Sequence, residues 1–379
     1  DWWGMGSALT NREHDFDLEQ IMEVGATTVR FAHYQQSDYI YSRCDTLGLI
    51  IWSEIPFVNR VTGQEWDNVH QQMRELIRQS FNHPSIYVWG IHNEVYHPHG
   101  YTAALTQSVH DLCKLEDPDR YTVAVNGYGH AEHPVNGNTD IQGMNRYFGW
   151  YEKKIQDIKP WIEKMAKEYP WQRLMLTEYG ADANIEHQTE LLGDALNWGS
   201  DFYPETFQTK THEYQWGVIS QHPYILASYL WNMFDFAVPQ WKRGGVDARN
   251  MKGLITFDRK IRKDAFYWYK ANWSKEPVLY LTQRRNTERE RRETSVTVYS
   301  NLGTPRVFLN GRELDGVRKG YTDVHYIFDQ VTLAEERNVL RAVIVSDGKE
   351  YTDEIVWNYN GEHVRQADAY EHKKEHAGW

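Results

Sequence analysis

The sequence predicts an α/β fold, a TIM (β/α)8 barrel followed by a small antiparallel β-sandwich. From residue 15 to 273, apolar strand-like runs alternate with amphipathic helix-like runs, which is typical of repeated βα units around a parallel sheet. After Lys275-Glu276-Pro277 the pattern changes to short alternating runs separated by Asn-Gly and Asp-Gly turns, which favour hairpins. The 379 residues suffice for a barrel of about 250 residues and a second domain of about 100.

The individual elements follow from apolar spacing and from residues that end helices. Apolar residues spaced three and four positions apart predict helices, whereas continuous apolar runs predict buried strands. Gly25 ends the first predicted helix, and Asn-His-Pro at 82–84 ends the third. The predicted helices cover residues 16–22, 39–47, 69–81, 102–115, 151–169 and 264–273. The predicted barrel strands cover residues 28–34, 49–56, 85–91, 121–126, 141–147, 173–179 and 227–235. The predicted sandwich strands cover residues 295–299, 307–309, 326–328, 338–345 and 351–357.

Seven predicted barrel strands are one fewer than a closed barrel of this kind needs. A predicted helix comes first in the chain, so the missing strand would precede it. A barrel without that strand would expose two strand edges, which is an aggregation hazard. We therefore expect the sequence to be part of a longer protein whose first barrel strand lies upstream.

Composition excludes several classes of function. Forty-one Lys and Arg against 53 Asp and Glu give a net charge of −12, which disfavours nucleic acid as a partner. No run approaches the ~20 apolar residues of a membrane span. The two cysteines, Cys44 and Cys113, give neither a disulfide framework nor a metal-ligand spacing. Aromatic residues make up 14% of the chain, and such rings suit the apolar faces of sugars as well as protein cores.

Two short segments carry the chemistry. Trp-Gly-Ile-His-Asn-Glu (89–94) and Leu-Met-Leu-Thr-Glu-Tyr-Gly (174–180) each contain an apolar run that ends in a glutamate, where a strand would open onto a loop. Two carboxylates on the carboxyl ends of barrel strands can converge in space, and glycosidic bond cleavage uses such a pair. We predict Glu94 and Glu178 as the catalytic pair rather than surface acids.

With these residues the chain resembles glycoside hydrolase family 2, the β-galactosidases and β-glucuronidases, over nearly all of residues 1–275. The resemblance rests on six motifs in the family's order: residues 29–34, 82–85, 93–94, 145–147, 177–180 and 230–235. Together with the change of pattern after 277 and the polar composition of the last residues, it predicts domains at 1–275 (catalytic barrel), 276–358 (immunoglobulin-like β-sandwich) and 359–379 (polar linker or tail). It also implies upstream sugar-binding and immunoglobulin-like domains, a periplasmic or secreted location, and a possible homo-oligomer.

The resemblance further implies a retaining mechanism through a covalent glycosyl-enzyme. Glu94 would be the general acid/base and Glu178 the nucleophile, with carboxyls ~5 to 5.5 Å apart. Asn93 would bind the sugar 2-hydroxyl, and Tyr147 would orient the nucleophile. Trp231 would form the floor of the sugar subsite.

Other residues have both a structural and a functional interpretation. Arg30 and His33 at the exit of the second barrel strand either form a structural contact or position the sugar. Trp52, Trp89, Trp150 and Trp241 are expected more often in the core or at the rim of the pocket.

Because His92, His97 and His99 lack an HExxH-type spacing, we predict no metal and no cofactor.

The identity of the sugar depends on Asn250 and Lys252. In β-glucuronidases an Asn-x-Lys at this place binds the substrate carboxylate, and a lysine facing a carboxylate is a sound reason for it. The same Asn-x-Lys-Gly also occurs in galactosidase-like sequences with a similar continuation at 258–266. We therefore predict an exo-acting β-galactosidase by a narrow margin, with a β-glucuronidase as the alternative. A second alternative is a non-catalytic carbohydrate-binding protein, which the intact Glu94 and Glu178 disfavour.

Overall fold

The computed structural model describes residues 1–95, 99–127 and 131–362, and within them it contains two structural regions. The α-helices are α1 (Asn11–Glu23), α2 (Asp38–Leu47), α3 (Trp66–Ser80), α4 (Gly100–Glu116), α5 (Pro134–Gly137), α6 (Ile158–Glu168), α7 (Glu205–Ile219) and α8 (Asp264–Trp273). The strands of the first region are β1 (Thr28–Phe31), β2 (Ile50–Glu54), β3 (Ile86–Asn93), β4 (Tyr121–Asn126), β5 (Ile141–Asn145), β6 (Leu174–Glu178), β7 (Ile225–Ser228), β8 (Phe236–Arg243) and β9 (Val246–Asn250).

Strands β1 to β7 form one parallel sheet in sequence order, as the barrel prediction requires. Each predicted strand is present, and the TIM-barrel prediction is confirmed. Strand β7 differs most in extent, because it ends at Ser228 and not at 235. The backbone stays bonded to the β6 segment as far as Trp231, whose N–H binds the Tyr179 carbonyl. The N–H groups of Asn232 and Asp235 then bind the carbonyls of Lys252 and Ile255.

The helices largely match their predictions, but α1 begins earlier than predicted, at Asn11, and the short α5 was not predicted. The predicted helix at 151–169 begins as a 3₁₀ turn at Ile155–Asp157 and is α-helical only from Ile158. Helix α7 was not predicted. It is buried on all sides, and its buried residues include polar ones such as Gln208, Thr211 and His212. Its sequence therefore lacks the apolar stripe along one face by which amphipathic helices are predicted.

The second region contains two mainly antiparallel sheets. Its strands are β10 (Leu279–Leu281), β11 (Glu288–Arg289), β12 (Glu293–Ser300), β13 (Arg306–Leu309), β14 (Arg312–Glu313), β15 (Val317–Lys319), β16 (His325–Thr332), β17 (Glu336–Ser346) and β18 (Lys349–Tyr359). The sheet orders are β10-β12-β16-β15 and β11-β18-β17-β13-β14, and only β11 and β18 pair in parallel within this region. Residues from both sheets, including Val298, Phe328, Leu340 and Trp357, share one apolar core. All five predicted sandwich strands are present.

The domain boundaries at 275/276 and 358/359 stay predictions, and residues 363–379 of the predicted tail lie outside the described residues. Within the described ranges, no helix is both long and apolar enough to cross a membrane. The functional residues predicted from the sequence gather at the carboxyl ends of β1, β3, β5, β6 and β7. The β8–β9 hairpin contributes further residues to the same end of the sheet.

Candidate active site

One pocket at the carboxyl end of the parallel sheet contains almost all of the predicted site residues. The predicted residues that line it are His33, Asn93, Glu94, Tyr147, Glu178, Trp231, Asn250 and Lys252. Arg30 does not line the pocket, but its guanidinium binds Glu178 and Asn93 from beneath. The sheet therefore brings together residues that are more than 200 positions apart in the sequence.

Glu94 follows the last residue of β3 and has a positive φ of 47°, which turns its side chain out of the strand. The Asn145 side-chain amide donates a 2.8 Å hydrogen bond to Glu94 Oε1. Burial and, second, the nearby Glu178 carboxylate raise the pKa of Glu94 to about 7. Gly127 makes room for this carboxyl, because a Cβ there would lie 2.7 Å from Glu94 Cδ. The arrangement keeps Glu94 protonated near neutral pH, as a general acid requires.

Glu178 is the last residue of β6 and is 6% exposed. The Tyr147 hydroxyl donates a 2.6 Å hydrogen bond to its Oε2, and Arg30 donates one of 2.8 Å to its Oε1. Two donors thus fix the Glu178 carboxyl in place, whereas the pKa of the neighbouring Glu94 is raised, and this contrast suits a nucleophile beside its general acid.

Two asparagines connect the carboxyl groups. The side-chain oxygen of Asn93 accepts hydrogen bonds from Arg30 at 2.9 Å and from Asn145 at 3.2 Å. Thr177 in turn donates a 2.8 Å hydrogen bond to the side-chain oxygen of Asn145. These contacts fix the orientation of both amides, so the NH₂ group of Asn93 is the end that can face a ligand.

Glu54, which the sequence analysis missed, holds Arg30 and His33. Its carboxylate accepts two hydrogen bonds of 3.0 Å from Arg30 and lies 2.7 Å from Nδ1 of His33. Burial alone would raise the pKa of Glu54, but Arg30 and His33 lower it below its ordinary value. The signal was present, because Glu54 also ends an apolar strand, like Glu94 and Glu178.

Aromatic rings form one wall of the pocket. The Trp231 and His33 rings stack with centroids 5.3 Å apart, and Phe236 meets the edge of Trp231 at 5.9 Å. Trp241 also lines the pocket. The remaining candidates, Trp52, Trp89 and Trp150, are 0%, 0% and 2% exposed and belong to the core.

Asn250 and Lys252 reach the pocket from the end of β9. Lys252 is 1% exposed and pairs with Asp182, which is fully buried. Its Nζ also lies 3.0 Å from the Tyr151 hydroxyl, and the Asn250 side chain accepts the Lys252 backbone N–H at 3.0 Å. The sequence analysis identified neither Asp182 nor Tyr151. The local pattern does not reveal a partner 70 residues away in the sequence.

The histidines considered as metal ligands are not gathered in the described part of the chain. His92 is buried and its Nε2 lies 2.8 Å from the Val135 carbonyl, and burial lowers its pKa to about 4. His97 lies outside the described residues. Within residues 1–95, 99–127 and 131–362, no group of three or more His, Cys, Asp or Glu side chains could hold a metal ion.

Comparison with known proteins gives consistent matches. The family model described as "Glycosyl hydrolases family 2, TIM barrel domain" matches residues 4–276. A β-glucuronidase of Bacteroides fragilis is 35% identical over 369 residues, which are 94% of this chain and 52% of that protein. The chain spans about half the length of the curated relatives it matches.

Two solved structures are similar over nearly the whole chain. A Bacteroides fragilis protein named as a candidate β-galactosidase has a TM-score of 0.96 and 77% identity, covering 97% of this chain and 55% of that one. The FMN-binding β-glucuronidase of Faecalibacterium prausnitzii L2-6 has a TM-score of 0.85 and 38% identity, covering 93% of this chain and 53% of that one.

Proposed function

Because the chain belongs to glycosyl hydrolase family 2, we propose that it removes terminal β-linked sugars with retention of configuration, using Glu178 as nucleophile and Glu94 as acid/base. The observation that carries this proposal is the contrast between the two glutamates. Glu178 accepts hydrogen bonds from Arg30 and Tyr147, whereas the pKa of Glu94 is raised to about 7. One carboxyl is thus prepared to attack and the other to donate a proton.

In the first step, Glu178 attacks the anomeric carbon and Glu94 gives its proton to the departing oxygen. The glycosidic bond breaks as an ester bond to Glu178 forms. The charge of Glu178 disappears in this ester, so one of the two causes that raise the pKa of Glu94 is removed. In the second step, Glu94 accepts a proton from water, the water attacks the anomeric carbon, and Glu178 leaves as a carboxylate.

For the sugar we propose a hexuronic acid, so that the substrate is a β-glucuronide. Lys252 lies in the same pocket as Glu94 and Glu178, and a buried ammonium group favours a carboxylate on the substrate. The relative of Bacteroides fragilis and that of Faecalibacterium prausnitzii are both named β-glucuronidases. This proposal takes the alternative that the sequence analysis ranked second.

A β-galactoside remains the second candidate, and one observation favours it. Asp182 already neutralises Lys252, and a neutral sugar would not disturb that pair. The 77% identical protein is named as a candidate β-galactosidase. The two candidates share all of the chemistry at Glu94 and Glu178 and differ only at the end of the pocket that holds Lys252.

The test is the initial rate of the full-length protein on 4-nitrophenyl β-glucuronide and on 4-nitrophenyl β-galactoside. Glu178→Gln should abolish the hydrolysis of whichever substrate is cleaved. Glu190→Gln is the matched control, because Glu190 has a side chain that is 8% exposed, binds Arg289 and does not line the pocket. Hydrolysis of neither substrate by the wild type, or full activity in Glu178→Gln, would contradict the proposal.

A further inference from the structure

Arg243, at the end of β8, is a buried cation that has no acidic partner among the residues the structure describes. It is 7% exposed, and its guanidinium carbon lies 3.3 Å from the ring centroid of Trp241 and 5.3 Å from that of Trp198. Within the described ranges it forms no ion pair, and its Nε has no hydrogen-bond partner. Trp241 lines the pocket, so the cation lies directly behind the pocket wall.

Other enclosed arginines of the chain show what is unusual about Arg243. The side chains of Arg30, Arg259 and Arg289 are 3%, 4% and 1% exposed, and each pairs with a carboxylate. Burial of a charge is costly unless an opposite charge accompanies it. An aromatic ring stabilises a cation but does not neutralise it. A missing counter-charge beside a pocket therefore points to an anionic ligand.

Arg243 is connected to the sugar pocket through one phenol oxygen. Its guanidinium donates a 3.3 Å hydrogen bond to the Tyr151 hydroxyl, which also accepts one of 3.0 Å from Lys252. The two cations therefore lie within two hydrogen-bond lengths of each other. Asp182 compensates Lys252, and Glu152, which also lines the pocket, pairs with Arg146. The buried Asp235 pairs with Lys263. This end of the pocket thus retains one uncompensated positive charge.

We propose that Arg243 is a specificity-determining residue that selects a terminal sugar carrying a carboxylate. The substrate carboxylate would bind at Lys252 and Tyr151, and Arg243 would act as a positioning residue that orients the Tyr151 hydroxyl and supplies the missing positive charge. The inference rests on the proposed glycosidase function and deepens it, because it assigns the choice between charged and neutral sugars to a residue outside the Asn250 and Lys252 pair.

A purely structural interpretation makes a different prediction. If Arg243 only clamps the rings of Trp198 and Trp241, its loss would disturb charged and neutral substrates alike. The discriminating measurement compares 4-nitrophenyl β-glucuronide with its methyl ester, which has the same ring and no charge. A third substrate, 4-carboxyphenyl β-galactoside, carries its carboxylate on the leaving group and not on the sugar. It tests whether Arg243 responds to a carboxylate on the leaving group.

The experiment measures kcat/KM of full-length wild type, Arg243→Met and Arg243→Lys on these three substrates. We expect Arg243→Met to lose about tenfold or more on the glucuronide relative to the methyl ester, because a charge-assisted contact is lost. Arg243→Lys keeps the charge and should keep most of the preference. If Arg243→Met fails to fold, the ratio of the two rates in Arg243→Gln serves the same purpose.

Four outcomes would overturn the inference. Equal losses on the glucuronide and its methyl ester would make Arg243 a structural clamp. A loss confined to 4-carboxyphenyl β-galactoside would assign the anion to the leaving group. A wild type that cleaves galactosides and not glucuronides would reject the uronide proposal together with this inference, whereas a glucuronidase unaffected by Arg243→Met would reject the inference alone.

Discussion

Arg30 and Glu178 form a buried ion pair in which a guanidinium nitrogen lies 2.8 Å from Oε1, and their side chains are only 3% and 7% exposed. The same guanidinium binds Asn93 at 2.9 Å and Glu54 at 3.0 Å. One rigid cation thus fixes the proposed nucleophile and the amide proposed to contact the sugar. Their relative geometry depends on whatever holds Arg30 in place.

Glu54→Gln should lower kcat by about a hundredfold, because a small displacement of reacting groups costs that much in a preorganised site. The substitution removes the charge that binds Arg30 and His33 while retaining the side-chain size. Glu190→Gln is the control for the loss of a largely enclosed acid paired with an arginine. An unchanged kcat in Glu54→Gln, measured by steady-state kinetics, would show that Arg30 does not need Glu54.

The order of the barrel strands was predictable because the central strands are apolar runs that are buried along almost their whole length. The β8–β9 hairpin was missed although Gly244-Gly245 between two extended runs is a hairpin signal. Helix α7 could not be found by periodicity, because it is buried on all sides and includes buried polar residues. Gln208 donates to the Ala181 carbonyl, and Thr211 donates to the Phe207 carbonyl of the helix itself.

The site was predictable where it consists of side chains at or next to the carboxyl ends of strands. Glu94 directly follows β3, Glu178 is the last residue of β6, and Arg30 lies one residue before the end of β1. The partners of the site residues are harder to predict from the sequence, because a residue such as Asp182 is identified only by its contact with Lys252. Motifs therefore indicate the reacting groups, whereas the groups that set their charge emerge from the three-dimensional arrangement.

Activity should decline as the pH rises through about 7. Glu94 must be protonated to act as the acid, and its pKa is raised to about 7. With a substrate such as 2,4-dinitrophenyl β-glucuronide, whose leaving group needs no proton, the first step should lose this alkaline dependence. Glu94→Gln should slow hydrolysis of poor leaving groups by about 10² to 10⁴. A kcat/KM profile that stays level from pH 6 to 9 on a poor leaving group would contradict the assignment.

Glu94 should also make the folded protein less stable at high pH. The folded state raises the pKa of this carboxyl from 4.5 to about 7, so it holds the proton more tightly than the unfolded chain does. Stability is unaffected below about pH 4.5 and falls as the pH rises to about 7, by about 3 kcal/mol when the shift is converted. Glu94→Gln should therefore stabilise the protein at pH 8 and have little effect at pH 4.5, as measured by urea unfolding. Equal effects at both pH values would refute the raised pKa.

Tyr147→Phe should reduce kcat more than it changes KM. The hydroxyl donates to Glu178 at 2.6 Å and orients the carboxylate, while the ring remains to pack against Tyr151. Without this donor the attacking oxygen is less well positioned in the transition state. Tyr203→Phe is the matched control, because Tyr203 packs on Trp150 and its hydroxyl binds the Trp198 carbonyl away from Glu178. A kcat loss of the same size in both variants would remove the specific assignment.

The two structural regions are joined by a buried charge cluster around Arg285, which lies just after β10. Arg285 binds Glu205 on α7 and Asp264 on α8, and the two carboxylates are 2% and 4% exposed. Removing the arginine leaves two acids buried without their cation, which costs about 3 to 5 kcal/mol. Burial and, second, the charge of Glu205 already raise the pKa of Asp264 to about 6. In Arg285→Ala, loss of the cation should raise it further.

The loss of stability in Arg285→Ala should consequently be larger at pH 8 than at pH 5, where proton uptake relieves the repulsion between Glu205 and Asp264. Urea unfolding of full-length protein at the two pH values measures this difference. Arg306→Ala is the control, since Arg306 pairs with Glu313 on the exposed surface and such pairs contribute little. If both variants unfolded at the same urea concentration, the cluster around Arg285 would not be what couples the C-terminal sheets to α7 and α8.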